Sequence, residues 1–265
     1  MVKKMKNNPF EVHGIQHLSA SAINQFITNP ASWILKVSGH RGIPNPAMWR
    51  GTVIDDAICK SFENDLSIEK KIHRSISNSE YDFDALYEKH NETFNYDVDA
   101  VDKEKNNLQR YLEVAIPFYA KLGKPQECQK RIEVEFEDIP VPIIGYIDLQ
   151  YEGVTRDIKT TGRLMSKIPS TICRQLSLYA YAEDSVPYAD FIHVTKAKAE
   201  VVSIEITDIE KRVDELKKAA LSMMNVLSYS DDINQVASLF YPDFDDWRWS
   251  NPIDIAAAKK LWRIK

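Results

Sequence analysis

The hydrophobic pattern changes period once along the chain. From residue 18 to residue 123, apolar positions recur at helical spacing. Serines suited to an N-cap open LSASAINQFITNP, with Ile23, Phe26 and Ile27 on one face. Asn29-Pro30 interrupts it, and Pro30 is placed to start a helix over ASWILKV. GHRGIPNP reads as a loop, and the pattern predicts a helix from Ala47 to Phe62. Residues 65–102 are polar, with weak helical patterning over Tyr81–Phe94, and KEKNNLQRYLEVAIPFYAKLG predicts one long amphipathic helix capped by Gly123.

The period then drops to two. RIEVEFEDIPVPIIGYIDLQYEGVTRDIK alternates like half-buried strands, with turn signals at Asp138–Pro142 and Glu152-Gly153. A helix over Pro169–Glu183, strands ADFIHVTK and AEVVSIEI, and a helix over Asp208–Tyr229 follow. An aromatic tail, YPDFDDWRWSNP, and a short helix close the chain. Strands framed by helices predict an α/β (α+β-like) fold with a central mixed sheet and one core. A chain of 265 residues suits a single domain over 1–265. Its parts are a helical region over 18–123, a sheet core over 127–206, and C-terminal helices with the tail over 207–265.

The hairpin carries unusual chemistry. If Glu152-Gly153 is a two-residue turn, facing residues have numbers summing to about 305. Asp148 then faces Asp157, Lys159 shares their face, and Ile147 meets Ile158 on the core side. Two facing carboxylates repel unless a cation lies between them, and oxygen ligation favours Mg²⁺ or Mn²⁺. A surface cluster of Asp, Asp and Lys is the plainer alternative.

Composition narrows the classes little. A net charge of −5 argues against a protein that coats nucleic acid, yet Arg156, Lys159, Arg163 and Lys167 surround a single acid, Asp157, and Arg174 follows. Cys59, Cys128 and Cys173 lie far apart, which predicts free thiols and no zinc knuckle. The basic opening MVKKMKNNPF lacks an apolar run, and none elsewhere reaches membrane-spanning length, so a cytoplasmic protein without a membrane contact is expected.

Gly-Tyr-Ile-Asp (145–148), a turn, and Asp-Ile-Lys-Thr (157–160) resemble the core of PD-(D/E)XK nucleases, in the version of RecB-type domains and phage recombination exonucleases. LSASAINQFITNPASWIL is similar to that family's N-terminal helix. RGTVIDDAI (Arg50–Ile58) is similar to its Arg-Gly-Thr-x-x-His helix, and Gln175 with Tyr179 to its Q-x-x-x-Y motif. The resemblance spans roughly residues 18–183. Asn29 stands where the family usually has Cys, and Asp55 where many relatives have a metal-binding His.

The resemblance implies a restriction-endonuclease-like core and a metal-dependent DNA nuclease, most readily an exonuclease of recombination or repair, acting on DNA ends. It implies Asp55, Asp148, Asp157 and the Ile158 carbonyl as ligands of Mg²⁺ or Mn²⁺. Asp56 lies about 100° around the helix from Asp55 and points elsewhere. Lys159 would position water or neutralise the transition state, and Gln175 and Tyr179 would support the site. No iron–sulfur cluster is expected. Arg163, Lys167 and Arg174 are candidate DNA contacts. Glu133 and Glu135 read as an exposed edge strand, His193 as structural, and Trp247 and Trp249 as a tail latch or base-stacking pair. A homo-oligomer and a single-strand annealing or binding protein are partners that such relatives imply. A structure-specific endonuclease and a silent DNA-binding module on the same fold remain open.

Overall fold

The computed structural model describes residues 8–163 and 165–264, so the basic opening of the chain, up to Asn7, lies outside the described residues. Seven helices come first: α1 (Pro9–Val12), α2 (Ala20–Thr28), α3 (Pro30–Val37), α4 (Pro46–Lys60), α5 (Ile68–Asn91), α6 (Val98–Asn106) and α7 (Leu108–Leu122). Strands β1 (Glu127–Phe136), β2 (Ile139–Tyr151) and β3 (Val154–Thr161) follow. After them come α8 (Ser170–Glu183), β4 (Val186–Val194), β5 (Ala199–Glu205), α9 (Ile209–Leu227), α10 (Ile233–Ala237) and α11 (Pro252–Trp262).

The sheet runs in the order β1-β2-β3-β4-β5. All neighbours are antiparallel except β3 and β4, which are parallel and joined through α8. The sheet is therefore mixed and flanked by helices. Each face carries its own apolar layer. On one, Ile143, Ile147, Ala189 and Phe191 pack with residues of α2, α8 and α9. On the other, Leu149, Ile158 and Ile192 pack with α4, α5 and α7.

Local chemistry sets the helix ends. Asn29 ends α2 and its side chain caps α3, whose first residue is Pro30. Gly123 ends α7 with φ 85°, which an L side chain resists.

Three helical expectations change. The polar stretch forms a 24-residue helix, α5. Its buried stripe holds Ser75, Ser79 and Phe83, and small serines let it lie close to α4, where the Ser79 hydroxyl donates to the Val53 carbonyl at 3.2 Å. Close approach replaces the apolar stripe that pattern reading seeks. The long helix expected over 103–123 is divided into α6 and α7 at Asn106–Asn107. The turn read at Asp138–Pro142 occupies only Glu137–Asp138, and both prolines belong to β2. Pro142 falls opposite the irregularity between Val134 and Phe136, where the ladder asks no donor of it, and its carbonyl accepts from Leu18 N at 2.9 Å.

Candidate active site

The hairpin register holds near the turn, with Leu149 opposite Arg156, Gln150 opposite Thr155 and Tyr151 opposite Val154. The ladder stops there. At its other end β2 has a different neighbour: Leu18 bridges Ile143 in parallel, and Ile144 N donates to the Leu18 carbonyl at 2.8 Å. Residues 145–148 thus have no strand partner on that edge among the described residues. Asp148 sits at the upper corner of the opening.

This corrects the expected pairing. Asp148 does not face Asp157 in a ladder. Its Oδ2 accepts from Ile158 N at 2.7 Å, so the carboxylate takes the place of a strand carbonyl. Nor does Ile147 meet Ile158, since they belong to opposite faces of the sheet. The cause is a kink at Gln129, whose backbone is left-handed at φ 50°. Cys128 and its partner Leu149 pack on the α4 and α7 side. Two residues on, Ile147 packs with the α8 layer, while its partner Lys130 pairs with Glu183 of α8 at 2.6 Å. Regular strands keep residues two apart on one face, so both strands turn over at this point. Gln129 Nε2 then donates to Asp148 Oδ1 at 3.2 Å. Nothing in the sequence pattern singled out Gln129.

Asp55 from α4, Asp148 from β2, and Asp157 and Lys159 from β3 converge at the opening, each within electrostatic reach of the others. Asp157 is 1% exposed and Asp148 9%. Burial, then the neighbouring Asp157, pushes the Asp148 carboxyl up to about 7 against the opposing pull of Lys159. Burial and Asp148 raise Asp55 well above the usual carboxylate range. Burial alone would discharge Lys159, but Asp157, Asp148 and Asp55 outweigh it and hold its ammonium above the ordinary lysine value. Lys159 Nζ lies 2.5 Å from Asp157 Oδ2, yet its approach is not that of a hydrogen bond. Asp157 Oδ2 and Asp55 Oδ1 are both buried with no hydrogen-bond partner.

Among the described residues, no three acidic, His or Cys side chains form a ready-made cation cage. The donor set nevertheless fits a hard cation. It is all oxygen, Asp55 Oδ1 is buried with no hydrogen-bond partner, Asp157 Oδ2 has only the Lys159 ammonium beside it, and burial together with the concentrated negative charge has raised two carboxyls.

The helix after β3 adds a support. Gln175 Nε2 donates to Tyr179 Oη at 2.9 Å, one turn along α8. Tyr179 is buried, and its ring lies where a Cβ on Gly145 would come within 2.4 Å of Cε1. Gly145 is thus required by a close approach. Arg50, buried on α4, reaches the Thr160 hydroxyl and pairs with Glu104, tying α4 to the strand that bears Lys159.

Other candidates are placed differently. Arg174 is not free to grip phosphate: its Nε donates to Glu215 at 2.9 Å and its Nη1 to Asn24 Oδ1 at 2.9 Å. A partly buried guanidinium needs such partners, and α2 and α9 provide them. Arg163 and Lys167 are exposed on the segment after β3. Glu133 lies on the edge strand β1 and pairs with Arg131. His193 stands opposite Glu200 in the β4–β5 ladder, 3.6 Å away. The two tryptophans divide: Trp249 is 4% exposed in a small core with Ala31, Leu35 and Ala258, whereas Trp247 is 77% exposed with Arg248 over its ring.

The family model of the PD-(D/E)XK nuclease superfamily matches residues 17–247. The chain belongs to the PD-(D/E)XK nuclease superfamily. Its members hydrolyse nucleic acids and generally use divalent metal ions. The fold is also similar to the crystal structure of a "Putative exonuclease" from Eubacterium rectale, with TM-score 0.50 and 13% identity, over 92% of this chain and 89% of that one. A weaker similarity, TM-score 0.34 and 14% identity, relates 66% of the chain to 86% of SSO0001. No curated protein sequence matches it. No described helix is long and apolar enough to cross a membrane.

Proposed function

We propose that this PD-(D/E)XK protein is a metal-dependent deoxyribonuclease that degrades DNA from its ends, with Mg²⁺ or Mn²⁺ as cofactor and a role in recombination or repair. One observation carries the reading. Asp148 and Asp157 are buried, with Asp55 and Lys159 partly buried beside them, where β2 lacks a strand partner, and a bound cation and a phosphate would recover the cost of gathering these charges.

Asp55, Asp148 and Asp157 would hold the cation, with the Ile158 carbonyl as a further oxygen. Bound there, it supplies Lewis-acid activation of water and stabilises charge on the scissile phosphate. Lys159 is held protonated by its neighbours, so it acts as a fixed positive charge and not as a base. Asp148 is oriented by Ile158 N and Gln129, which fixes one carboxylate before substrate arrives. Gln175, through its bond to Tyr179, orients the phenol whose ring lies against Gly145 beside the opening. Exposed Arg163 and Lys167 are placed to meet phosphates beyond the site.

The test compares end-labelled linear duplex with sealed circles, in Mn²⁺, Mg²⁺ or EDTA, with Lys159→Ala alongside. Metal-dependent loss of linear DNA only, absent in the variant, is the expected result. Cutting of circles would replace the exonuclease with an endonuclease. No cleavage of either substrate would leave a silent DNA-binding module.

A further inference from the structure

Residues 17–19 do two things. Leu18 closes the lower end of the opening in β2, and Ser19 caps α2 by accepting from Ala22 N at 3.1 Å. The same segment forms one wall of a concavity of about 450 Å³ between the start of α2 and the end of α3. His17, Lys36 and Arg41 line it, all three exposed, and no acidic side chain does. Neither Lys36 nor Arg41 has an ion-pair partner among the described residues. In a chain of net charge −5, an acid-free hollow bearing two such cations is set apart from the surface around it.

Its position gives it meaning. Ile143, where Leu18 bridges, and Asp148, at the site, are ends of one strand segment about 17 Å long at strand rise. That is about five base steps of a duplex at about 3.4 Å per step. A nucleic-acid strand with its scissile phosphate at Asp148 and Lys159 would, on leaving over Leu18, meet Lys36 and Arg41.

Resting on the nuclease reading above, the geometry points to this hollow as a second phosphate-binding site, which holds the DNA backbone about five nucleotides from the scissile bond. It assigns to Lys36 and Arg41 the anchoring role that Arg174, committed to Glu215 and Asn24, does not fill. The contact is to backbone charge and carries no base preference.

The experiment measures binding of a fluorescent 20-base-pair duplex by anisotropy in EDTA, over a salt series, for wild type, Lys36→Ala/Arg41→Ala and the control Lys121→Ala/Lys124→Ala. The control removes the same charge from exposed positions at the end of α7. Two lost phosphate contacts should lower the slope of log K against log salt by about 1.8 and weaken binding by about sixtyfold at 0.1 M salt, with the control unchanged. A melting curve for each variant separates lost contacts from lost fold. With Mn²⁺ present, KM on the duplex should rise and kcat stay, whereas substrates shorter than about five nucleotides should be cut equally by both proteins. Equal slopes for wild type and the hollow variant would overturn the inference and leave the nuclease reading standing. Equal losses in variant and control would also overturn it, since net charge alone would then account for binding. Absence of both binding and cleavage in wild type would remove both.

Discussion

Replacing Asp148 with Asn should make the metal-free protein more stable. Asp148 is buried, and its carboxyl is raised from 3.8 to about 7 by burial and Asp157. The folded state therefore keeps a proton that the unfolded chain releases near pH 4. Stability falls as pH rises from there and is lowest above pH 7. A rise of about three pH units at about 1.4 kcal/mol each sets a ceiling near 4 kcal/mol for this cost above pH 7. The ceiling is shared with Asp55, which Asp148 also raises, so the variant relieves both groups. Asn keeps the acceptor for Ile158 N and can donate to Gln129 once that amide turns over.

The assay is thermal unfolding in EDTA at several pH values. At pH 8 the variant should melt on the order of 5–10 °C above wild type, a gain shrinking towards zero near pH 4. Added Mn²⁺ or Mg²⁺ should raise the wild-type Tm and leave the variant nearly unmoved, because the ligand is gone. A variant no more stable than wild type at pH 8 would refute the claim that the ionised carboxylate is costly in the fold. A gain independent of pH would refute its electrostatic origin.

Other expectations follow from single contacts. Lys159→Ala should lower cleavage by about 10²–10³-fold while DNA binding in EDTA stays within a few-fold, as a transition-state charge would; steady-state rates and anisotropy read the two. Gly145→Ala sets a methyl against the Tyr179 ring and should cost about 1–3 kcal/mol by denaturant unfolding, with Tyr179→Leu in the same chain recovering part of it. Arg50→Ala leaves Glu104 partly buried without its partner and should cost about 3 kcal/mol. Trp249→Ala should cost about 3–5 kcal/mol, but Trp247→Ala less than about 0.5 kcal/mol, in the same unfolding assay.

Where chemistry is local, the chain announced it. Asn29-Pro30, Gly123 and Glu152-Gly153 each punctuate the fold as their backbone preferences dictate. The mixed sheet with flanking helices was legible too, because the period change from helical to alternating is a property of consecutive residues. What escaped depends on residues far apart. Helix α5 has a stripe of serines that reads as solvent-facing until α4 is laid against it. The arginine in α8 reads as a DNA contact until Glu215 and Asn24 arrive from α9 and α2.

The site shows the same division most sharply. The sequence names Asp148, Asp157 and Lys159 by spacing, but strict alternation would seal them into a continuous ladder with Ile147 over Ile158. Two facing carboxylates could not occupy that ladder without a cation. The chain instead breaks it, with a left-handed Gln129 turning β1 and β2 over and Leu18 taking the neighbour's place further along β2. Both events leave residues 145–148 open at the edge, and the open edge is what a substrate phosphate could reach. The kink at Gln129 and the Leu18 bridge shape the opening, and the opening spares the two aspartates the repulsion of a closed ladder; a variant that removes the charge tests how far repulsion helps to keep the hairpin apart. Backbone hydrogen exchange at Ile147 reads this directly: if repulsion helps to hold the hairpin apart, its amide should exchange more slowly in Asp148→Asn without metal than in wild type at pH 8, whereas Ile158 N already donates to residue 148. An unchanged rate would mean that Gln129 and Leu18 hold the gap open by themselves, and that charge plays no part in its shape.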